Sequence, residues 1–323
     1  MMMSAILVLL LMVIMPSYLR SNTCVDRAKS DTSSTVITKT KSKTSKTRWA
    51  IVCLVKDASK ALADVDKRNK KLAAMITPYA NQHDITMVFF SEATFPESTL
   101  VKWRKTFHGL ASVRYMNTAK NAYGGNKYGY KYMCKFFSLD MYEYLANDYD
   151  YFMRVDTDCN VSPTKYDVFK WIETNNVEYS FAARKIEGHK LTRDTLPKYV
   201  QKYSSECGIQ ATLPMDEPMS TCFNFYNNWH IGKVSFFTRP DVQHFLHSVN
   251  ATGGILEHRW GDSTVQAYAV RLFMDPRHLQ QAPNFTYLHG SHNARITTEG
   301  DGSATKLPQR LPMWKGAVPT VSP

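Results

Sequence analysis

Tyr149-Asp150-Tyr151-Phe152-Met153-Arg154-Val155-Asp156-Thr157-Asp158 is the stretch on which the reading of this 323-residue chain turns. An aromatic and apolar run leads without a break into an acid-x-acid triplet. The run has the composition of a buried strand. In open α/β sheets, ligands sit beyond the carboxyl ends of the strands, which is where the triplet falls. Two aspartates at i and i+2 on an extended segment point to the same side, so Asp156 and Asp158 could share one hard cation such as Mg²⁺ or Mn²⁺. Acid-x-acid triplets also arise by chance, and an Asp-rich turn is the competing explanation.

The sequence around this stretch reads as alternating strands and helices. Residues 49–55 form a continuous apolar run, 58–80 have helical spacing, and 85–90 form a second run, which together give a β-α-β opening. A third strand is expected at 113–115. Tyr132, Phe136, Leu139, Tyr142 and Leu145 recur at three- and four-residue steps, so 130–145 is expected to be a helix. Further on, the pattern predicts a helix at 166–175, a strand at 179–183 and an irregular region with a short helix over 184–219. A strand is expected at 234–237, then helices at 240–249 and 261–272, the last capped by Asp262 or Ser263. The expected fold class is α/β, with a mostly parallel central sheet flanked by helices.

Residues 1–19 are nearly all apolar and just reach the ~20 residues that a membrane span needs. A basic start and a small-x-small cleavage site are both missing, which favours an uncleaved signal anchor over a signal peptide. Residues 20–47 are a Ser/Thr/Lys mixture that cannot bury enough surface to fold and read as a flexible stem. The folded domain is expected over 48–323. Net charge is +12, and residues 20–48, with eight basic and two acidic side chains, carry half of it. The remainder is only mildly basic, which argues against a nucleic-acid partner. None of the six cysteines has C-x-x-C spacing, so neither a zinc knuckle nor a thioredoxin-type motif is present. An even count is compatible with disulfides or with buried thiols. Three N-x-S/T triplets are compatible with a secretory location.

Longer motifs add to the triplet. Tyr130-Lys131-Tyr132-Met133-Cys134-Lys135-Phe136-Phe137-Ser138 resembles the Y-R-H-M-x-R-F-x-S helix of glycosyltransferase family 15, the fungal-type α-1,2-mannosyltransferases. The strand and triplet at 151–158 resemble its W-R-V-E-P-D. Asn227-Asn228-Trp229-His230-Ile231-Gly232 parallels S-N-F-E-I-G, and 253–262, ending Arg259-Trp260-Gly261-Asp262, parallels G-G-F-Y-Y-E-R-W-G-D. The similarity spans about residues 49–293.

This resemblance implies a GT-A fold, a type II Golgi membrane enzyme with a luminal catalytic domain, GDP-mannose as donor, Mn²⁺ and a mannose-containing glycan acceptor. It also implies retention of anomeric configuration. It assigns the metal to Asp156, Asp158 and His289, with His292 as the fallback. It assigns the donor pocket to Tyr130, Lys135 and Arg154 together with Asp156. It puts residues 257–262 on the acceptor side, with Trp260 stacking on a sugar and Arg259 either there or paired with Asp262. One departure stands out: the family glutamate that is a proposed nucleophile is His230 here. The reaction would then proceed on one face of the sugar, or use Glu257 or Asp262 instead. Another hexose donor, such as UDP-galactose or UDP-glucose, and a degenerate glycan-binding protein are the alternatives.

Overall fold

The computed structural model describes residues 46–56, 59–118, 129–213, 215 and 222–299. The expected anchor, nearly all of the expected stem and the tail from 300 lie outside the described residues. Among the described residues, no helix is long and apolar enough to cross a membrane.

The strands are, in chain order, β1 (Arg48–Leu54), β2 (Asp84–Ser91), β3 (Ser112–Asn117), β4 (Tyr151–Val155), β5 (Cys159–Val161), β6 (Tyr179–Phe181), β7 (Arg184–Ile186), β8 (Phe223–Phe225), β9 (Trp229–Lys233), β10 (Leu279–Gln281), β11 (Thr286–His289) and β12 (Ala294–Thr297). Seven of them form one sheet in the order β10-β6-β9-β4-β1-β2-β3. All neighbours in it are parallel except β9, which runs antiparallel to both β4 and β6. Two small antiparallel sheets, β12-β11-β5 and β7-β8, stand apart from it.

Alternation along the strands divides the core in two. Ala50 and Val52 face one apolar cluster, and Trp49, Ile51 and Cys53 face the other. Burial on both faces explains why β1 and β4 carry apolar side chains on both faces, with Arg154 the one charged residue inside β4. After β1 the chain goes through helix Ser59–Ile76 to β2 and through helix Glu97–Thr106 to β3. It then returns through residues 129–145 to lay β4 on the other side of β1. The strand order therefore reverses between β1 and β4. At such a reversal the two connections leave in opposite directions and open a crevice at the strand ends.

Four expectations need correction. The helix at 129–145 exists, but Phe136–Asp140 is a π-helical segment in its middle. Residues 190–207, within the region read as irregular with a short helix, form an 18-residue helix. Thr192, Leu196, Val200 and Tyr203 are its buried stripe, and Gly208, with φ of 64°, ends it. The internal Pro197 and the polar composition hid that stripe. Val234–Phe237 is a helical turn, and the strand precedes it as β9. An apolar run of four does not reveal its own period. Helix Asp262–Phe273 has Gly261 at its N-cap with no side-chain cap, because Asp262 is turned inward to another partner.

The cysteines follow burial. Cys53, Cys134, Cys159 and Cys222 are buried thiols, and Cys207 is disulfide-bonded. Cys24 lies outside the described residues.

A polar clamp ties the start of the sheet to helix Val168–Thr174. The His83 side chain lies 2.7 Å from Asp167 and 3.7 Å from Glu173, and Glu173 also accepts from the Trp49 indole at 2.9 Å. Burial alone would lower the His83 pKa, but the carboxylates of Glu173 and Asp167 outweigh it and raise it. A raised folded-state pKa means that the stabilisation is full below the unfolded value of about 6.5 and is lost as pH rises through the folded value. His83→Gln should therefore destabilise the protein by about 1.5 kcal/mol at pH 5.5 and by less at pH 9, as measured by urea denaturation at both pH values. An equal loss at both would contradict the clamp.

Candidate active site

Arg154, the penultimate residue of β4, is only 2% exposed. A guanidinium so deep needs partners for its donors. Its Nε donates to Asp156 at 2.7 Å and its Nη2 to the other Asp156 oxygen at 3.1 Å, while its Nη1 donates to Asp262. The Phe137 ring covers it at 3.5 Å. Asp262 also accepts from Asn227 at 2.8 Å, and Asn227 donates to Gln266 at 3.1 Å. Burial alone would raise both carboxyls. For Asp262, Arg154 and Asn227 outweigh burial and lower its pKa; for Asp156, burial wins and its pKa is raised.

Asp158, two residues on, faces a different partner. Its Oδ2 is 3.3 Å from His289 Nε2 and accepts from the Ser291 backbone N–H at 2.9 Å. Burial would raise this carboxyl, but the bonds from His289 and Ser291 hold it well below the usual carboxylate range. Register explains the meeting. β11 pairs with β5 so that His289 lies opposite Cys159, one residue from Asp158. Gly290 then donates its N–H to the Asp158 carbonyl at 2.9 Å. A Cβ on Gly290 would come within 3.1 Å of that carbonyl, so the residue type permits the close approach.

Three consecutive residues after β8 hold these parts together. Tyr226 bonds to His289 Nδ1 at 2.5 Å and to His292 Nδ1 at 2.8 Å. Asn227 bonds to Asp262. Asn228 accepts the Asp156 backbone N–H at 3.0 Å through its carbonyl and the Tyr287 hydroxyl at 2.8 Å through its side chain.

Much of this lines a cavity of about 670 Å³ at the ends of β1 and β4. Arg154, Asp156, Asp158, Asp262, His289 and Tyr130 line it, so the structure brings these sequence-predicted residues together. His292, the fallback ligand, lines it too. Tyr130 is 50% exposed and has the Arg259 guanidinium 4.6 Å from its ring centre.

The remaining predicted residues lie elsewhere. Lys135 does not line the cavity; it is held by both oxygens of Asp140, at 2.9 and 2.7 Å. Glu257 is exposed and outside the lining. Trp260 is 3% exposed, donates to Thr195 at 2.8 Å and packs on Gly254, where a Cβ would collide at 2.5 Å; its face is covered by protein and cannot stack on a sugar. Arg259 sits over Tyr130, and the ion-pair partner of Asp262 is Arg154.

His230 is fully buried on β9 and stacks on Tyr179 at 5.4 Å, with Phe152 edge-on at 5.4 Å. Its Nδ1 bonds to the Asn227 carbonyl at 2.9 Å. Burial and Arg154 push its pKa down to about 3, so it is a neutral ring in the core, out of reach of the cavity.

Some lining residues were missed in the sequence. Lys56 follows β1, and Lys185 and Glu187 come from the β7 region. Glu187 is oriented by the His189 N–H at 2.9 Å and the Thr264 hydroxyl at 2.7 Å. It lies in a stretch without periodicity, where one glutamate looks like any other.

Asp158 and His289 offer a carboxylate oxygen and an imidazole nitrogen 3.3 Å apart and facing one cavity, a donor pair that suits Mn²⁺. Asp156 is adjacent, though both its oxygens are directed at Arg154. Among the described residues, no three such side chains are clustered closely enough to hold a metal. Further ligands would have to come from the substrate or water.

Residues 106–299 match the family described as glycolipid 2-alpha-mannosyltransferase, glycosyltransferase family 15. The chain belongs to that family. This family 15 chain is 28% identical over 189 residues to a probable mannosyltransferase of Candida albicans, covering 56% of this chain and 49% of the relative. It is 27% identical over 193 residues to the glycolipid 2-alpha-mannosyltransferase of Saccharomyces cerevisiae, covering 55% and 42%. The matched region thus spans about half the length of these curated relatives. The fold is similar to that of core-mannan synthase A from Aspergillus fumigatus in its Mn/GDP form, with a TM-score of 0.66, 19% identity and coverage of 77% of this chain and 76% of the other. A mannosyltransferase of S. cerevisiae in complex with GDP gives a TM-score of 0.64 at 16% identity, covering 83% and 78%. The architecture is of the GT-A type.

Removing one partner of a buried ion pair leaves the other charge uncompensated, which typically costs about 3–5 kcal/mol. Arg154→Met should lose about that much in urea denaturation, because Asp262 stays buried. Arg154→Met combined with Asp262→Leu should lose less than the single variant. A single variant within about 1 kcal/mol of wild type would show that the pair does not hold the site together.

Proposed function

We propose that this chain is a retaining α-1,2-mannosyltransferase that moves mannose from GDP-mannose to a mannose-containing glycan, with Mn²⁺ as cofactor. The observation that carries this reading is the meeting of Asp158 and His289 at the end of β4, in the cavity that also holds the Arg154–Asp156–Asp262 cluster. It is supported by family membership and by the Mn/GDP and GDP forms of the two similar structures.

Asp158 and His289 would hold the ion, with Asp156 beside them. When bound, it would neutralise charge on the departing diphosphate. Lys56 and Lys185 on the cavity wall add positive potential for the same anion. The half-exposed Tyr130 offers a ring face to the donor.

The burial of His230 supports transfer without a side-chain nucleophile at that position. In that course the bond from the anomeric carbon to the phosphate oxygen breaks as the acceptor hydroxyl oxygen bonds to the same face. The hydroxyl proton passes to the leaving phosphate oxygen. Asp262 is engaged by Arg154 and Asn227, and Glu257 lies outside the cavity, so neither is well disposed to attack. Glu187, on the wall, is a carboxylate that could orient acceptor hydroxyls. Positioning and charge stabilisation supply most of the barrier reduction in such a scheme.

The same histidine favours one second reading, a glycan-binding protein that has lost transfer. We further propose that residues 1–19 anchor the protein in the Golgi membrane as a type II protein with residues 20–47 as a stem and the GT-A domain luminal.

Transfer from GDP-mannose to methyl mannoside should proceed with Mn²⁺, stop with EDTA, and fall at least about 100-fold in Asp158→Ala, as read by product formation. Undiminished product with EDTA or in the variant would overturn the metal assignment. Intact GDP binding with no product from any nucleotide sugar would replace the enzyme reading with the binding one.

A further inference from the structure

The Tyr226 hydroxyl is shared between two imidazoles. It lies 2.5 Å from His289 Nδ1 and 2.8 Å from His292 Nδ1, and the two rings are 4.5 Å apart, centre to centre. On its far side, His289 Nε2 meets Asp158 at 3.3 Å and the Ser291 hydroxyl at 3.1 Å. The chain Asp158–His289–Tyr226–His292 is therefore continuous.

Two proton arrangements satisfy it. In the first, His289 Nε2–H donates to Asp158, Nδ1 accepts from the Tyr226 hydroxyl, and His292 Nδ1–H donates to the Tyr226 oxygen. In the second, Nδ1–H donates to the Tyr226 oxygen, the hydroxyl donates to His292 Nδ1, and Nε2 is left unprotonated, within reach of the Ser291 hydroxyl and facing the Asp158 carboxylate. An unprotonated Nε2 and a carboxylate at that distance repel each other, and a cation held by both would remove that repulsion. The second arrangement is thus the one that a cation requires, since only an unprotonated nitrogen can be a ligand. A phenol suits both arrangements because it can donate and accept. His292 is what makes the second one complete, because it gives the hydroxyl proton an acceptor once His289 Nδ1 has become a donor.

We propose that Tyr226 is a positioning residue for the metal site, which holds the ring of His289 and lets it present Nε2 as a lone pair, with His292 as the terminal acceptor. This rests on the assignment of Asp158 and His289 as ligands. Tyr226 is itself fixed at the end of β8 by its N–H bond to the Ala183 carbonyl at 2.9 Å and by Lys185 5.1 Å from its ring centre. Phenylalanine keeps the ring and removes only the shared oxygen.

Partners of this kind are worth about 10- to 100-fold in metal affinity. Mn²⁺ binding by the full chain, titrated by electron paramagnetic resonance with GDP present, should weaken about tenfold in Tyr226→Phe. His292→Ala should weaken it by less, because water can replace the terminal acceptor. The metal-free melting temperature of Tyr226→Phe should stay within about 2 °C of wild type. With saturating Mn²⁺ its kcat should recover, so that the loss is confined to the metal concentration required. A Tyr226→Phe protein that binds Mn²⁺ within twofold of wild type would overturn the proposal, provided that Asp158→Ala abolishes binding. If wild type binds no Mn²⁺, or Asp158→Ala binds it normally, the metal assignment itself fails, and the proposal with it.

Discussion

A single buried guanidinium organises this protein. Arg154 sits where β4 ends, covered by Phe137, and its three donor nitrogens are divided between Asp156 on its own strand and Asp262 on a helix more than 100 residues later. A charge in that position is tolerable only if every donor is answered. The need fixes the start of helix Asp262–Phe273 against the sheet. It also explains why Asp262 is not a cap: its carboxylate is already engaged. Asn227 then answers Asp262, and Gln266 answers Asn227 and the Phe137 carbonyl, so the polar network is anchored in the apolar core at one end and opens onto the cavity at the other.

The cavity follows from topology more than from any one residue. Strand order reverses between β1 and β4, and the crevice this opens is lined by Leu54 and Arg154 together with side chains from five other stretches of the chain, 130–137, 185–188, 224–228, 262–263 and 289–292. The antiparallel strand β9 matters here. It carries the chain straight from the 226–228 turn into the sheet, so that one turn braces His289, Asp262 and Asp156 at once. It also buries His230 beside Arg154, where a charged imidazole would be doubly disfavoured.

Much of this was legible from residue patterns. The apolar runs of β1, β2 and β4 are long enough, and buried on both faces, so they announce a parallel sheet. Asp156 and Asp158 stand at a strand end, and the Arg-Trp-Gly-Asp block and the triplet both line the site through at least one member. The length of the helix over 190–207 was not legible, because polar residues and Pro197 masked its buried stripe and left only a short helix to be expected there. Nor was the role of Trp260, which looks like a sugar platform in sequence and is packing for Gly254 in space.

The sequence by itself determined the fold class, the family and the position of the acidic triplet, because periodicity, strand-end chemistry and motif order are local properties of the chain. Only the tertiary structure decided how the two aspartates divide their work. Asp156 is spent on Arg154, and Asp158 meets a histidine 131 residues away, brought there by the register of β11 on β5. It likewise decided that His230 is core and that Tyr226 reaches the site. Such pairings depend on which strands become neighbours, a choice made by burial over the whole molecule and invisible in any short stretch.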